Sequence, residues 1–252
     1  MNATLTPLSA VLIVKNESAV IDRCLDSLDW VDEIVVLDTG STDATLELCA
    51  KRGCRTYSLE KWEGFGKAKQ EAVNLATHDW ILSIDADEAL GKWMDVEIKN
   101  LRLYGFDGCA WRLPRRSRYL GKVIRYCGWQ NDAPLRIFNR KQGQFNANLV
   151  HEGIQTSQRI NSCLTWLEHY SYPTREGHFA KMRFYGELSA RQKKEAGKRS
   201  NPVEAVIQAA LKFLKMYIFK LGFLDGRIGF QLCRNSAWGV WYKYHQLWKL
   251  GR

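Results

Sequence analysis

The sequence predicts an α/β protein in which a parallel sheet is followed by a basic, helical C-terminal extension. Three observations predict it. Short apolar runs alternate with amphipathic stretches from residue 8 to residue 85, turn residues separate the two, and the apolar spacing becomes helical after residue 174.

"SAVLIVK" (residues 9–15) is the first strand: continuous apolar side chains with β-branched members suit a strand covered on both faces. "SAVIDRCLDSL" (18–28) has helical spacing, and "EIVVLD" (33–38) is the second strand. "STDATLELCAKRG" (41–53) opens on Ser, Thr and Asp, which cap helices, and stops at Gly53. The cycle repeats with "CRTYSL" (54–59), "GKAKQEAVNLA" (66–76) and "WILSID" (80–85). Four strands joined by three helices imply parallel crossover connections.

After residue 105 the rhythm changes. "GCAWRLPRRSRYLGKVIRYCGWQND" (108–132) is basic and aromatic, and "PLRIFNR" (134–140) and "LTWLEHYSY" (164–172) read as further strands, mixed or antiparallel to the first set. "PVEAVIQAALKFLKMYIFKLG" (202–222) and "GRIGFQLCRNSAWGVWYKYHQLWKL" (226–250) are helical. The expected division is a domain over 1–173 and a helical, basic extension over 174–252.

The formal net charge of +10 is unevenly placed: from Arg175 to the end sixteen Lys and Arg face five Asp and Glu, a local +11, so the preceding residues nearly balance. Such a field attracts polyanions, either nucleic acid or an anionic membrane face. Seven scattered cysteines with no CxxC pair read as free thiols of a reducing compartment. The N-terminus lacks a charged leader, and no segment approaches ~20 uncharged apolar residues, so no membrane crossing is expected. Neither GxGxxG nor GxxxxGK[ST] is present, which removes the common nucleotide-cofactor loops.

Ligands of open α/β sheets bind outside the carboxyl ends of the strands. Here those ends carry Lys15 and Glu17, then Asp38 before "TGSTD", then Asp85 and Asp87. Two aspartates one residue apart can hold a hard divalent cation and leave coordination sites for a diphosphate. The same spacing also suits a strand that ends at Asp85 and a helix that opens on Asp87 and Glu88, where acids complement the dipole. For Glu88, helix entry is the expectation.

"VLIVKNES", "EIVVLDTGSTDAT" and "WILSIDADEAL", in this order, resemble family 2 glycosyltransferases of the GT-A fold, a Rossmann-like mixed sheet flanked by helices. The resemblance implies that Asp38 contacts the nucleotide base or ribose, and that Asp85 and Asp87 bind Mg²⁺ or Mn²⁺ with the diphosphate. Lys15 and Glu17 join the nucleotide-sugar side. "GFGKAKQEAVNLA" is similar to the family's Gly-x-x-Ala-Arg-Asn helix start, with Lys69 and Gln70 replacing Arg and Asn. Lys69 then either helps hold the diphosphate or is an exposed helical lysine.

"CGWQND", "LRIF", "VHE", "HYSY" and "GFLDG" extend the likeness to the subgroup that adds glucose to the inner-core heptose of lipopolysaccharide or lipooligosaccharide. This implies an inverting displacement with UDP-glucose as donor and a lipid A-core oligosaccharide as acceptor. The general base is then Asp132, with Glu152 as rival, although Asp132 also reads as an Asp-Ala-Pro turn residue. His151 reads as a metal ligand, an acceptor contact or a partly buried polar residue. Arg136 pairs with phosphate or with a structural carboxylate, and Arg116 and Trp129 suit a phosphorylated sugar acceptor.

Lys212, Lys215 and Lys220 lie among Phe, Met, Tyr and Leu, a composition suited to a membrane interface. A peripheral position on the cytoplasmic face of the inner membrane is expected, with no nucleic acid as partner. Another bacterial glycan or lipid-linked acceptor is the alternative within the family. A non-catalytic nucleic-acid- or membrane-binding module is the alternative outside it, but it leaves the acids on three strand ends unexplained. A haloacid-dehalogenase-type phosphohydrolase also uses DxD, yet would need Thr or Val where Ala89 stands.

Overall fold

The computed structural model describes residues 5–148 and 152–251. The chain forms two compact units, one running to Arg115 and resuming over Ala133–His169, the other made of Arg116–Asp132 and the residues from Tyr170 onward.

In the first unit the expected alternation is present as β1 (Leu8–Val14), α1 (Ile21–Asp26), β2 (Glu33–Asp38), α2 (Thr45–Lys51), β3 (Arg55–Ser58), α3 (Phe65–Leu75) and β4 (Trp80–Ser83). β1 lies between β2 and β4 and is parallel to both, with β3 parallel to β2 at the edge. The chain continues through β5 (Glu88–Leu90), α4 (Met94–Leu103), β6 (Ala110–Arg112), β7 (Arg115–Tyr119) and β8 (Lys122–Val123). β9 (Leu135–Asn139), β10 (Gly143–Phe145), β11 (Ile154–Thr156), β12 (Ile160–Ser162) and β13 (Leu167–Tyr172) follow.

The main sheet has the order β12-β6-β9-β4-β1-β2-β3. β9 runs antiparallel to β4 and to β6, so the sheet is mixed, as the change of rhythm after residue 105 predicts. Successive side chains of β1 go to opposite faces. Leu8, Leu12 and Val14 pack with Ile21 and Leu25 of α1 and Ile98 of α4, while Val11 packs with Ala72 and Val73 of α3. Both faces are covered, which is why the strand reads as an unbroken apolar run.

Glu88 departs from expectation. It opens β5, not a helix, is 1% exposed, and pairs in register with His169 of β13. The next helix begins only at Met94. A lone carboxylate could not be buried at this depth, and the arginines described below compensate it.

The second unit is dominated by α5 (Arg175–Glu195), α6 (Pro202–Leu214) and α7 (Gly226–Leu250), with a π-helical turn over Lys215–Phe219 and a 3₁₀ turn over Gly222–Asp225. Thr174 caps α5 by accepting from the Gly177 amide at 3.0 Å, and Asn201 caps α6 by accepting from the Glu204 amide at 2.8 Å. α5 and α6 both pack on α7. Tyr119, Ile124, Met216 and Leu232 form the core of this unit. Within it the Tyr119 hydroxyl lies 3.1 Å from His178 Nδ1 and accepts from Asn235 Nδ2 at 2.8 Å. Burial pushes the His178 imidazole down to about 4. Among the described residues no helix is long and apolar enough to cross a membrane.

Candidate active site

Parallel register puts the carboxyl ends of three strands on one edge: Val14 stands opposite Asp38, and Val11 opposite Ser83. Two loops leaving that edge are tied together by backbone and side-chain hydrogen bonds. The Thr42 amide donates to Asn16 Oδ1 at 2.7 Å, the Asn16 amide to Ser41 Oγ at 3.0 Å, and the Glu17 amide to Thr45 Oγ1 at 2.9 Å. Asn16 takes a left-handed backbone, φ 56°, which Asn tolerates better than most residues.

Asp38 is 4% exposed and accepts from the Gly40 and Ser41 amides at 3.0–3.1 Å. Its carboxylate shapes the loop first, and any ligand contact uses its remaining lone pairs. Lys15 is exposed and Glu17 half-buried on the neighbouring loop. Asp43, which sequence spacing does not single out, anchors the same pair of loops. Hydrogen bonds from Ser18 and Thr45 hold its carboxyl well below the usual range.

The charged centre lies just past β4. Lys69 Nζ is 2.8 Å from Asp85 Oδ1 and 2.8 Å from Glu152 Oε1. The Arg136 guanidinium bonds Asp85 Oδ2 and reaches both Glu88 oxygens at 2.7 and 2.8 Å. Arg115 Nε is 2.7 Å from Glu88 Oε1, and its terminal nitrogen is 3.5 Å from Asp85 Oδ2. Glu88 also accepts from the Asp85 amide at 3.0 Å, closing the turn of the DxD sequence. Three cations thus meet three carboxylates, mostly away from water.

Burial alone would raise the Asp85 carboxyl, but Arg136, Lys69 and Arg115 outweigh it and hold the group well below the usual range. Burial pulls the Lys69 ammonium down, and Asp85 reverses the shift to leave it above its ordinary value. Glu152 is lowered by Lys69 against its own burial. Gly66 permits this arrangement: a Cβ there would stand 2.0 Å from the Asn146 carbonyl oxygen, and its amide donates to the Asn148 carbonyl at 3.1 Å. The first turn of α3, just before Lys69, therefore lies directly against the 146–148 backbone.

Asp87 Oδ1 lies 3.7 Å from His169 Nε2. A Mg²⁺ or Mn²⁺ ion takes few protein ligands and completes its shell with water and substrate phosphates. One carboxylate suits either ion, and the imidazole suits Mn²⁺ better than Mg²⁺, which takes oxygen ligands. The pair does not suit a structural ion, and among the described residues no three His, Cys, Asp or Glu side chains are grouped for one.

The structure thus brings together Lys69, Asp85, Arg136 and Glu152, and sets Lys15, Glu17 and Asp38 on the same sheet edge. Arg116, Trp129 and Asp132 belong to the second unit. There Trp129 meets Tyr119 edge-on with centroids 6.5 Å apart, and the Asp132 amide donates to the Trp129 carbonyl at 3.4 Å. His151 lies outside the described residues. Sequence reasoning missed Arg115, Glu88 and His169. Arg115 is submerged in a basic run, whereas His169 stands in the quoted "HYSY" segment and could have been found there.

A family model described as glycosyl transferase family 2 matches residues 9–107. The lipopolysaccharide core biosynthesis glycosyltransferase LpsC of Rhizobium meliloti is 30% identical over 217 residues, covering 84% of this chain and 80% of LpsC. S. aureus TarS, solved with UDP-GlcNAc, superposes with a TM-score of 0.49 and 16% identity, covering 94% of this chain and 80% of that one. Glucosyl-3-phosphoglycerate synthase of Mycobacterium tuberculosis, solved with Mn²⁺, UDP and glucosyl-3-phosphoglycerate, gives a TM-score of 0.38 and 27% identity, covering 45% and 44% of the two chains.

Proposed function

The chain belongs to glycosyl transferase family 2, with the GT-A fold, and from that premise we propose an inverting transfer of glucose from UDP-glucose to a heptose of the lipopolysaccharide inner core. The likeness to LpsC supports the acceptor class. The observation that carries the reading is the gathering of Lys69, Arg115, Arg136, Asp85 and Asp87 at the carboxyl end of β4.

In the proposed reaction an acceptor hydroxyl attacks the anomeric carbon, the bond from that carbon to the diphosphate oxygen breaks, and the hydroxyl proton passes to a carboxylate. A divalent ion held by Asp87 and His169 would neutralise charge on the leaving diphosphate. Lys69 and Arg115 would add positive charge beside it, and Asp38 would hold the nucleoside. Asp85 keeps both cations in position through the ion pairs described above.

For the base, geometry argues against Glu152: its Oε1 is already engaged by Lys69 Nζ at 2.8 Å. Asp132 is the proposed base, and Glu152 orients Lys69. The test is release of uridine diphosphate from a panel of sugar nucleotides with Mg²⁺ or Mn²⁺, with and without a heptose-terminated core acceptor. Turnover only with UDP-glucose and that acceptor is expected, and turnover with a different acceptor alone would overturn the substrate assignment. Asp132→Asn should lose turnover while retaining donor binding; the same signature in Glu152→Gln instead would transfer the role.

A further inference from the structure

The second unit carries 20 Lys and Arg against six Asp and Glu, a formal +14, while the remainder of the chain is at −4. On this cationic unit α6 leaves an apolar stripe in water. Val203, Ile207, Leu211, Leu214 and Ile218 follow one another at spacings of three or four residues, and each is exposed, from 42% to 68%. The spacing places them on one face of the helix and of the π turn that continues it. Phe219, 77% exposed, Phe223 and Leu224 extend that apolar surface into the next turn.

Soluble proteins rarely leave so continuous an apolar surface uncovered. The opposite side of α6 is already engaged, since Ala205 is fully buried and the helix packs on α7. Lys215 and Lys220 flank the exposed aromatic end and are themselves exposed; Lys212 is half-buried, and burial followed by Lys215 pulls its ammonium down. Apolar side chains edged by cations suit an interface where hydrocarbon lies beneath negative headgroups. A second copy of the chain is disfavoured as occupant because it would bring another +14 unit against this one.

We propose that the outward face of α6 and the turns after it, from Val203 to Leu224, docks on the surface of an anionic lipid bilayer. The apolar side chains enter the headgroup boundary and the lysines meet lipid phosphates. Docking requires no sugar transfer, so it stands or falls separately from the proposed reaction.

The test is co-sedimentation of the full chain with vesicles of phosphatidylglycerol, compared with phosphatidylcholine. Binding to the anionic vesicles and weak binding to the neutral ones are expected. Lys215→Gln with Lys220→Gln should lower partitioning about 30-fold, because one cation near an anionic surface contributes about fivefold. Phe219→Ser with Phe223→Ser should lower it at high salt as well, where the electrostatic part is already screened. These side chains are exposed, so circular dichroism should be unchanged, and sugar-nucleotide turnover with a water-soluble acceptor should persist. A wild-type protein that stays in the supernatant with phosphatidylglycerol overturns the proposal. So does a dimer in sedimentation velocity that Phe219→Ser with Phe223→Ser converts to monomer, since a second copy would then cover the stripe.

Discussion

The two units use their cations in opposite ways. In the first, Lys69 and Arg136 are 7% and 3% exposed and are fixed against Asp85, Glu88 and Glu152. In the second, Lys215 and Lys220 project into water beside exposed apolar side chains. A buried cation survives only if compensated, so its partners are determined by the fold; an exposed one costs little and remains available to a partner outside the chain. The difference separates a site built to be rigid from a surface built to attract.

The largest expected effect tests the rigid side. Asp85→Asn with Asp87→Asn should reduce turnover by about 10³-fold or more, roughly 4 kcal/mol of transition-state stabilisation, because both the diphosphate cations and the proposed ion site lose their anchors. Steady-state kinetics with saturating donor would read it. Full activity in the double variant would break the comparison at its centre.

Next is Glu88→Gln. It leaves Arg115 and Arg136 buried with one carboxylate fewer, and breaking such a pair costs about 3–5 kcal/mol. The urea midpoint should fall accordingly, with the slope unchanged. A change below about 1 kcal/mol would mean that water enters the cluster and that its charges are not rigidly paired.

The parallel half of the sheet was legible because strands covered on both faces read as apolar runs between turn signals, and the register then placed Asp38 and the DxD residues on one edge. Glu88 was not legible. An acid three residues after Asp85 reads as helix entry, and it is Arg115 and Arg136, arriving from β7 and β9, that compensate its buried charge. Asp38 was legible as a site residue but not as a loop anchor, since hydrogen bonds to the Gly40 and Ser41 amides depend on a backbone path that spacing does not reveal. The α6 segment is cationic and apolar on sequence, yet which lysines face water depends on helix packing, and Lys212 is half-buried.

Acid should also separate the units. His178 is depressed to about 4, so its folded form stays neutral while the unfolded form takes up a proton near the ordinary value of 6.5. Its stabilisation is full above pH 6.5 and is lost as pH falls towards 4, by about 2 kcal/mol once solvent screening is discounted. In the first unit Glu33 is lowered from 4.5 to about 2, burial being outweighed by its Ser9 and Thr77 hydrogen bonds. Asp85 lies well below its ordinary value as well. Their stabilisation is present above about pH 4.5 and, for Glu33, is lost only as pH falls through about 2. Hydrogen exchange should therefore show α5 and α7 opening at a higher pH than β1 and β2. His178→Gln should remove the slope between pH 6.5 and 4, and simultaneous opening of both units would contradict the assignment.

The smallest effect is expected where charge is least compensated. Lys215→Gln with Lys220→Gln should change the stability of the free protein by no more than about 0.5 kcal/mol, as for other exposed positions. The sign should be stabilising, because two charges leave a unit at +14 and self-repulsion falls. Added salt should mimic the substitution, since the Debye length near 0.1 M is about 10 Å and exposed charges further apart are screened. The buried Lys69 and Arg136 pairs should respond far less to the same salt. If urea midpoints of the wild type and the lysine variant converge as salt rises, the surface charges act on the free chain by repulsion alone, and their retention is explained by what they meet outside it.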